Sequence, residues 1–354
     1  MKTCIVKGFV DVPGTKYYYY HGMLRACNIQ PEIVCFDKVD TLLYAPRFVA
    51  VEPYSPGNKI MTSVHGMIWT VTGSLVGNSW QSICWSPFLG LFCAVAASGT
   101  GNRVMTSKDG IDWKIQSSAA DNSWRSVCWS PELKLFCAVA SSGTYNRVMT
   151  SPDGIVWTTR ANKDNIYWGS VCWSPYLGMF CAVSINLTTY QVMTSYNGIL
   201  WTRRKPASNK NWASVCWSPY RKLFCAVAQS GTGYRVMTSA DGISWTARAS
   251  SSDLNWESVC WSEKLHLFVA TALTGEYVMT SANGISWTNR RWYDPLDPID
   301  GYGWGSVVWS EQEELFVTVG KGSGSQLCMI SSNGIDWHGI TLPEYRHWLC
   351  VCAK

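Results

Sequence analysis

One spacing governs this chain: Trp69, Trp113, Trp157, Trp201 and Trp245 follow one another at intervals of 44 residues. The series runs on to Trp287 and Trp337 after 42 and 50 residues, which makes seven copies. A second series of Trp80, Trp124, Trp168, Trp212, Trp256, Trp304 and Trp348 keeps the same beat, and so does a third of Trp85, Trp129, Trp173, Trp217, Trp261 and Trp309. Together they take up 20 of the 21 tryptophans and leave only Trp292 out of register. Such regularity restricts the chain to one supersecondary unit repeated, each unit burying its apolar faces on its neighbours. The periodic tryptophans therefore belong to the core.

Within a copy, WQSICW, LFCAVA, RVMTS and IDW are β-branched and aromatic runs of strand length, separated by turn residues. They read as four strands, a to d. SPFLG turns a into b, SGTGN forms a longer b–c loop, and KDG is a tight c–d turn in which Gly110 takes positive φ. Four short strands per 40 to 50 residues, apolar on both faces, predict an all-β, seven-bladed β-propeller of antiparallel blades. The C-terminal HWLCVCAK aligns with strand a, Trp348 falling on Trp80 and Cys352 on Cys84, while the first copy has a poor strand a before Phe48 to Val51. The last strand is thus expected to complete the first blade and remove an open edge, with residues 40–45 as the alternative. Residues 39–354 form the propeller, and residues 1–38 an extension that packs on it.

Composition trims the functional classes. Charged residues are 15% of the chain, well below the usual level of about 25%. The net charge of +5 is spread without a long basic run, so no dedicated nucleic-acid binding is expected. No apolar stretch is long enough for a membrane helix, and MKTCIVKGFVDVPG breaks its apolar run too early for a cleaved signal peptide. Ten cysteines recur at two strand positions: Cys84, Cys128, Cys172, Cys216, Cys260 and Cys352 in strand a, and Cys93, Cys137, Cys181 and Cys225 in strand b. Val308, Val269 and Val317 replace them in the later copies, as expected of a thiol used as a small buried hydrophobe. A reducing compartment follows, cytoplasmic or virion-associated.

SKDGIDW, SPDGIVW and SADGISW resemble the Asp-box (BNR) hairpins of sialidase-type propellers, and the whole repeat resembles uncharacterised propellers of large DNA viruses and phages. The usual Asp-box has one more residue between Asp and Gly. The Asp is replaced by Asn197, Asn283 and Asn333 in three copies and by His65 in the first. The resemblance implies a fold rather than an activity. It also implies that Asp109, Asp153 and Asp241, with the three asparagines, cap their own turn backbone.

No constellation of catalytic residues emerges. A sialidase requires an arginine triad, a Tyr–Glu nucleophile and an acid, and the arginines here are periodic. No phosphate-binding loop, nucleophile elbow or zinc motif is present, and the five histidines lack metal-ligand spacing. No cofactor and no metal are expected, and the chain reads as a non-enzyme.

Function is then sought on the surface. Arg103, Arg147 and Arg235 end b–c loops, while Arg160, Arg204, Arg248 and Arg290 stand three residues after a strand-d tryptophan. The c–d hairpin brings both sets toward one face, where clustered arginine favours an anionic partner. The second candidate is the long loop RRWYDPLDPIDGYGW, with Trp292, Tyr293, Asp294, Asp297, Asp300 and Tyr302. Aromatic plates beside carboxylates suit a sugar or a peptide, and the three aspartates could hold Ca²⁺. The expected role is a binding or structural propeller, viral structural or host-interacting, whose partner is a protein or an acidic or neutral glycan. A lectin is the rival within binding, and a sialidase-like glycoside hydrolase the rival among enzymes.

Overall fold

The computed structural model describes residues 17–20, 23–26, 45–53, 59–73, 76–161, 165–274, 277–291, 303–321, 328–344 and 346–354. Their regular elements are all strands. Seven four-stranded antiparallel sheets make the chain a seven-bladed β-propeller. A separate hairpin, Tyr17–Tyr20 paired with Met23–Ala26, lies in a compact unit of its own, residues 1–45. Apart from this hairpin, residues 1–38, expected to pack on the ring, lie outside the described residues.

Blade 3 serves as the template. Its strands are Trp124–Ser130, Leu135–Ala140, Val148–Ser151 and Thr158–Arg160, and each pairs only with its neighbours in sequence. The antiparallel order puts the a–b and c–d turns at one end of every blade, the turn face. The b–c loops and d–a connectors occupy the other end, the loop face. Strands a of successive blades touch in an unbroken cycle, so they line the axis of the ring.

A strand lining an axis has one edge without a strand partner. Here a serine of the preceding blade covers it: the amide of Val127 donates to Ser82 Oγ at 3.2 Å, Val171 to Ser126, Val215 to Ser170, Val259 to Ser214, Val307 to Ser258 and Val351 to Ser306. At the seam Cys350 takes the serine's place, its sulfur facing the Ile83 amide.

Aromatic side chains fill each blade interface. In blade 3 Phe136 lies 4.6 Å from Trp129 and 6.2 Å from Trp157, and equivalent trios recur in the other internal blades. Trp80, Trp124, Trp168, Trp212, Trp256, Trp304 and Trp348 are the largest fully buried side chains. Every strand-d tryptophan donates its indole N–H to the carbonyl of its c–d turn glycine, as Trp113 does to Gly110 at 2.9 Å. Those glycines hold φ between +71° and +81°, and a Cβ on Gly110 would meet Val49 of the preceding blade at 2.8 Å. Position and space both demand glycine there.

The ring closes as expected: Cys350–Ala353 pairs with Phe48–Val51 and completes blade 1. All described cysteines are free thiols. Because the Val127 amide points to the axis, its neighbour Cys128 points its backbone toward strand b. Cys128 and Cys137 are therefore a hydrogen-bonded pair, with Cα atoms about 5.5 Å apart. Burial pushes both thiols up, away from the reactive thiolate.

Candidate interaction face

On the loop face, the two arginine sets do converge, since Val148 stands opposite Arg160 in the c–d ladder. Their guanidinium groups are engaged internally. Nε of Arg103, Arg147 and Arg235 donates to the carbonyls of Gly99, Gly143 and Gly231 at 2.7 to 2.8 Å, bracing each b–c loop from within. Arg103 and Arg235 also face Asp121 and Asp253 at 3.6 Å, and Arg147 lies over the Tyr167 ring. Burial lowers the pKa of Arg147. Nε of Arg160, Arg204, Arg248 and Arg290 donates to a strand-c threonine, Thr150, Thr194, Thr238 and Thr280. The loop candidates Trp292, Tyr293, Asp294, Asp297, Asp300 and Tyr302 lie outside the described residues. A shallow polar depression of about 380 Å³ on this face is lined by Leu187, Lys205 and Asn209.

The turn face differs in chemistry. In the c–d turn of blade 2, Asp109 Oδ1 accepts the amides of Ile111 and Asp112 at 2.9 and 2.8 Å and the Ser107 hydroxyl. Asp153, Asp241, Asn197, Asn283 and Asn333 make the same pair of amide bonds. Partial burial raises the Asp109 carboxyl, but the amides and the hydroxyl outweigh it and hold the pKa below its ordinary value. Capping the turn this way leaves the next side chain pointing outward. Ile111, Ile155, Ile199, Ile243, Ile285 and Ile335 all stand there, 43 to 52% exposed. Val156 and Leu200, 64 and 74% exposed, enlarge the patch on blades 3 and 4, as Ile68 at 63% does on blade 1, where the remaining copies have Asp112, Ser244, Ser286 and Asp336.

Around the axis the a–b turns add aromatic tips. Ser130 Oγ and its equivalents accept the amide three residues on, which tightens each turn. The last turn position has positive φ, at Gly90 and Gly178 but also at Lys134, Lys222, His266 and Glu314. A side chain in that conformation is costly unless its surroundings hold it. Each of the four reaches back to the tip of the preceding blade. Lys134 lies over Phe88, Lys222 over Tyr176, each with Nζ 4.4 Å from the ring centroid. His266 stacks on Tyr220 at 3.8 Å, and Glu314 pairs with Lys264. Phe88, Tyr176 and Tyr220 remain 60, 61 and 53% exposed.

Among the described residues, the large exposed hydrophobic side chains gather on this face; only Tyr145, Tyr167, Leu187 and Tyr234 lie on the other. These tips and isoleucines were not singled out by sequence reasoning. The available signal was the spacing of tip and cover, 46 residues for Phe88 and Lys134, Tyr176 and Lys222, and Tyr220 and His266, one repeat plus two.

Solved structures share the fold. No protein-family model matches the chain, and no curated protein matches it. A streptogramin B lyase structure is similar at 8% identity with a TM-score of 0.66, covering 86% of this chain and 91% of that one. A putative 6-phosphogluconolactonase from Bacteroides uniformis matches at 9% identity and 0.60, covering 87% of this chain and 99% of that one. The Cps50 (Swd1) β-propeller domain of Myceliophteria thermophila matches at 12% identity and 0.54, covering 77% and 88%. These likenesses establish the propeller and nothing finer.

Proposed function

We propose that the chain is a non-enzymatic binding propeller that docks a protein partner on its turn face. One observation carries this reading: among the described residues, six equivalent isoleucines, with Val156, Leu200 and the aromatic tips, make the turn face apolar, whereas those of the loop face are largely polar. Exposed apolar area of this extent, edged by charge, is the mark of a protein interface. Repetition supports it too, because near-identical copies offer several equivalent contacts and gain by avidity, whereas catalysis needs one asymmetric site. The likeness of the c–d turns to Asp-box hairpins, and of the repeat to propellers of large DNA viruses and phages, supports a viral structural or host-interaction role. The lyase and the lactonase-like neighbour share the fold at 8 and 9% identity, which transfers no chemistry to this chain.

The test is site-specific photocrosslinking. Benzoylphenylalanine is placed at Phe88 or Leu200 on the turn face and at Tyr145 or Tyr234 on the loop face, in cells that make the protein. One recurrent protein captured from the turn face alone is the expected result. Equal capture from both faces, or none, defeats the reading. A glycan-binding reading draws on the aromatic tips with their cations; selective binding on a neutral and acidic glycan array, lost in Phe88→Ala, would replace the protein partner with a sugar.

A further inference from the structure

We infer that two notches at the mouth of the axis, on blades 3 and 5, bind carboxylates of an acidic peptide segment flanked by apolar side chains. This rests on the turn face being the docking surface and names the chemistry of what docks.

The chain carries its own template for such a notch. Trp173, at the end of strand a in blade 4, donates its indole N–H at 2.5 Å to Glu132, the turn tip of blade 3. In blade 6 the equivalent Trp261 donates to Glu263 at 2.7 Å. A carboxylate is thus a partner this indole takes in two blades, although Trp309 stays unpaired with Glu311 two residues on. Blades 3 and 5 supply none, because the preceding tips are Phe88 and Tyr176. Trp129 and Trp217 are 8 and 7% exposed, and their Nε1 atoms are buried without a hydrogen-bond partner. A buried donor left unpaired is unfavourable; Trp80, Trp168, Trp304 and Trp348 share that state deep in the core, whereas Trp129, Trp217 and Trp309 do so beside the a–b turns.

The neighbours complete the notch. The Tyr176 ring lies nearly parallel to Trp217, 13° between planes and 6.4 Å between centroids, and Lys222 Nζ sits over it, 3.4 Å from the hydroxyl. Lys134 covers Phe88 in the same way. The blade 5 notch therefore combines an unpaired N–H, an ammonium and an aromatic plate, a set that suits a carboxylate on an apolar backing, and blade 3 has the same residue types at the equivalent positions. Charge sets the position on the ring. The a–b turns of blades 3 and 5 carry Lys134, Arg221 and Lys222 against Glu132, which Trp173 already engages; those of blades 6 and 7 carry Glu263, Glu311, Glu313 and Glu314 against Lys264. Trp309 also has an unpaired N–H, but it lies in that acidic sector, which repels a carboxylate. The exposed Leu133 in the a–b turn of blade 3 adds an aliphatic contact that suits an apolar side chain of a peptide.

Fluorescence anisotropy with a labelled peptide of alternating glutamate and leucine tests this. The peptide is expected to bind, and Lys222→Gln and Trp217→Phe should each weaken it by about tenfold, the usual weight of a charge-assisted hydrogen bond. Glu132→Ala removes a like charge and frees the Trp173 N–H, without adding an ammonium or a plate, and should tighten binding by a smaller factor. Both Lys222 and Glu132 are exposed, so those two variants report even where Trp217→Phe disturbs the fold. Equal binding of a lysine–leucine peptide, or affinity unchanged in all three variants, overturns the notches. A heparin-derived oligosaccharide that binds with the same variant dependence overturns the peptide in favour of an acidic glycan. Crosslinking that persists from the turn face while the peptide fails removes the notches and leaves the docking surface; loss of both removes both.

Discussion

Blade 1 and the internal blades 2 to 5 reach the same four-stranded sheet by different means. An internal blade is one continuous segment, whose strand a runs seven residues and turns directly into strand b. Blade 1 borrows a strand a of four residues, Cys350–Ala353, from the far end of the chain. Trp348 is as completely buried as Trp212, so the aromatic core is equal on both sides of the comparison. The rim is not. Where the internal copies end strand b in Ala96, Ala140 or Ala228, blade 1 has Glu52, 1% exposed and 3.2 Å from Arg346. Arg346 also bonds Glu344, which bonds Lys59, each at 2.6 Å. On the turn face Arg47 and His65 meet Glu313, and the Lys354 amide donates to the Arg47 carbonyl at 2.7 Å. Covalent continuity joins strand a of an internal blade to strand b; at the seam, where that continuity is missing, ion pairs help to align two chain ends.

The sharpest break of that comparison is removal of residues 350–354. Blade 1 would lose its inner strand, and the strand edge Phe48–Val51 and the axis side of blade 7 would both open to solvent. Loss of cooperative unfolding and aggregation are expected, read by near-ultraviolet circular dichroism and size exclusion. A peptide of residues 346–354 added in trans should restore the native signal. A truncated chain that melts like the intact one would show that the seam contributes nothing to the ring.

A smaller effect isolates the charges. Arg346→Ala leaves the buried Glu52 carboxylate without its guanidinium, which costs about 3 kcal/mol, the low end for a broken buried pair because the Lys59 amide still faces Glu52 at 3.4 Å. Arg346→Ala with Glu52→Ala restores the alanine of the internal copies and should recover most of the loss in urea denaturation. A double variant no better than the single would mean that the pair positions the strand by shape rather than by charge.

The tryptophan and cysteine spacings were enough to read blade number and strand order, because a core repeat imposes itself on every copy alike, whereas closure by the last strand stood against residues 40–45 until the pairing of Cys350–Ala353 with Phe48–Val51 decided it. Local roles were less legible. Arg147 reads as a surface cation until the b–c loop folds over it and presents the Gly143 carbonyl. Lys134 covers Phe88 only because a positive φ turns it back toward the preceding blade. Glu52 looks like a strand-end solvent residue, and its burial follows from Arg346, distant in sequence and adjacent only once the ring is closed. The unpaired indoles of Trp129 and Trp217 are invisible in a repeat whose tryptophans look identical; they differ from Trp173 through the tip of the blade before. Contacts within a repeat can be read from one copy, whereas contacts between copies depend on residues about 46 positions apart that no local pattern links.

The smallest expected effect concerns acid, and it bears on both regions. Asp109, Asp153 and Asp241 have folded pKa values below the ordinary carboxylate value, since turn amides and a serine hydroxyl outweigh the effect of partial burial. A depressed carboxylate contributes stability that is fully present above its unfolded pKa and is lost as pH falls through the folded value. The window is therefore below about pH 4. Asn197, Asn283 and Asn333 make the same amide bonds without a proton to gain, so blades 4, 6 and 7 should keep their turns where blades 2, 3 and 5 weaken. At the seam, hydrogen bonds from Lys59 and Arg346 hold Glu344 low, so acid also loosens the closure. Urea midpoints followed from pH 5 to pH 2.5 separate the two, those limits being set roughly one unit or more either side of an ordinary carboxylate. Asp109→Asn with Asp153→Asn and Asp241→Asn should flatten part of the acid slope, and Glu344→Gln should lower stability at neutral pH and flatten another part. If the triple variant keeps the full slope while Glu344→Gln removes it, acid opens the ring at its seam and the c–d turns are bystanders.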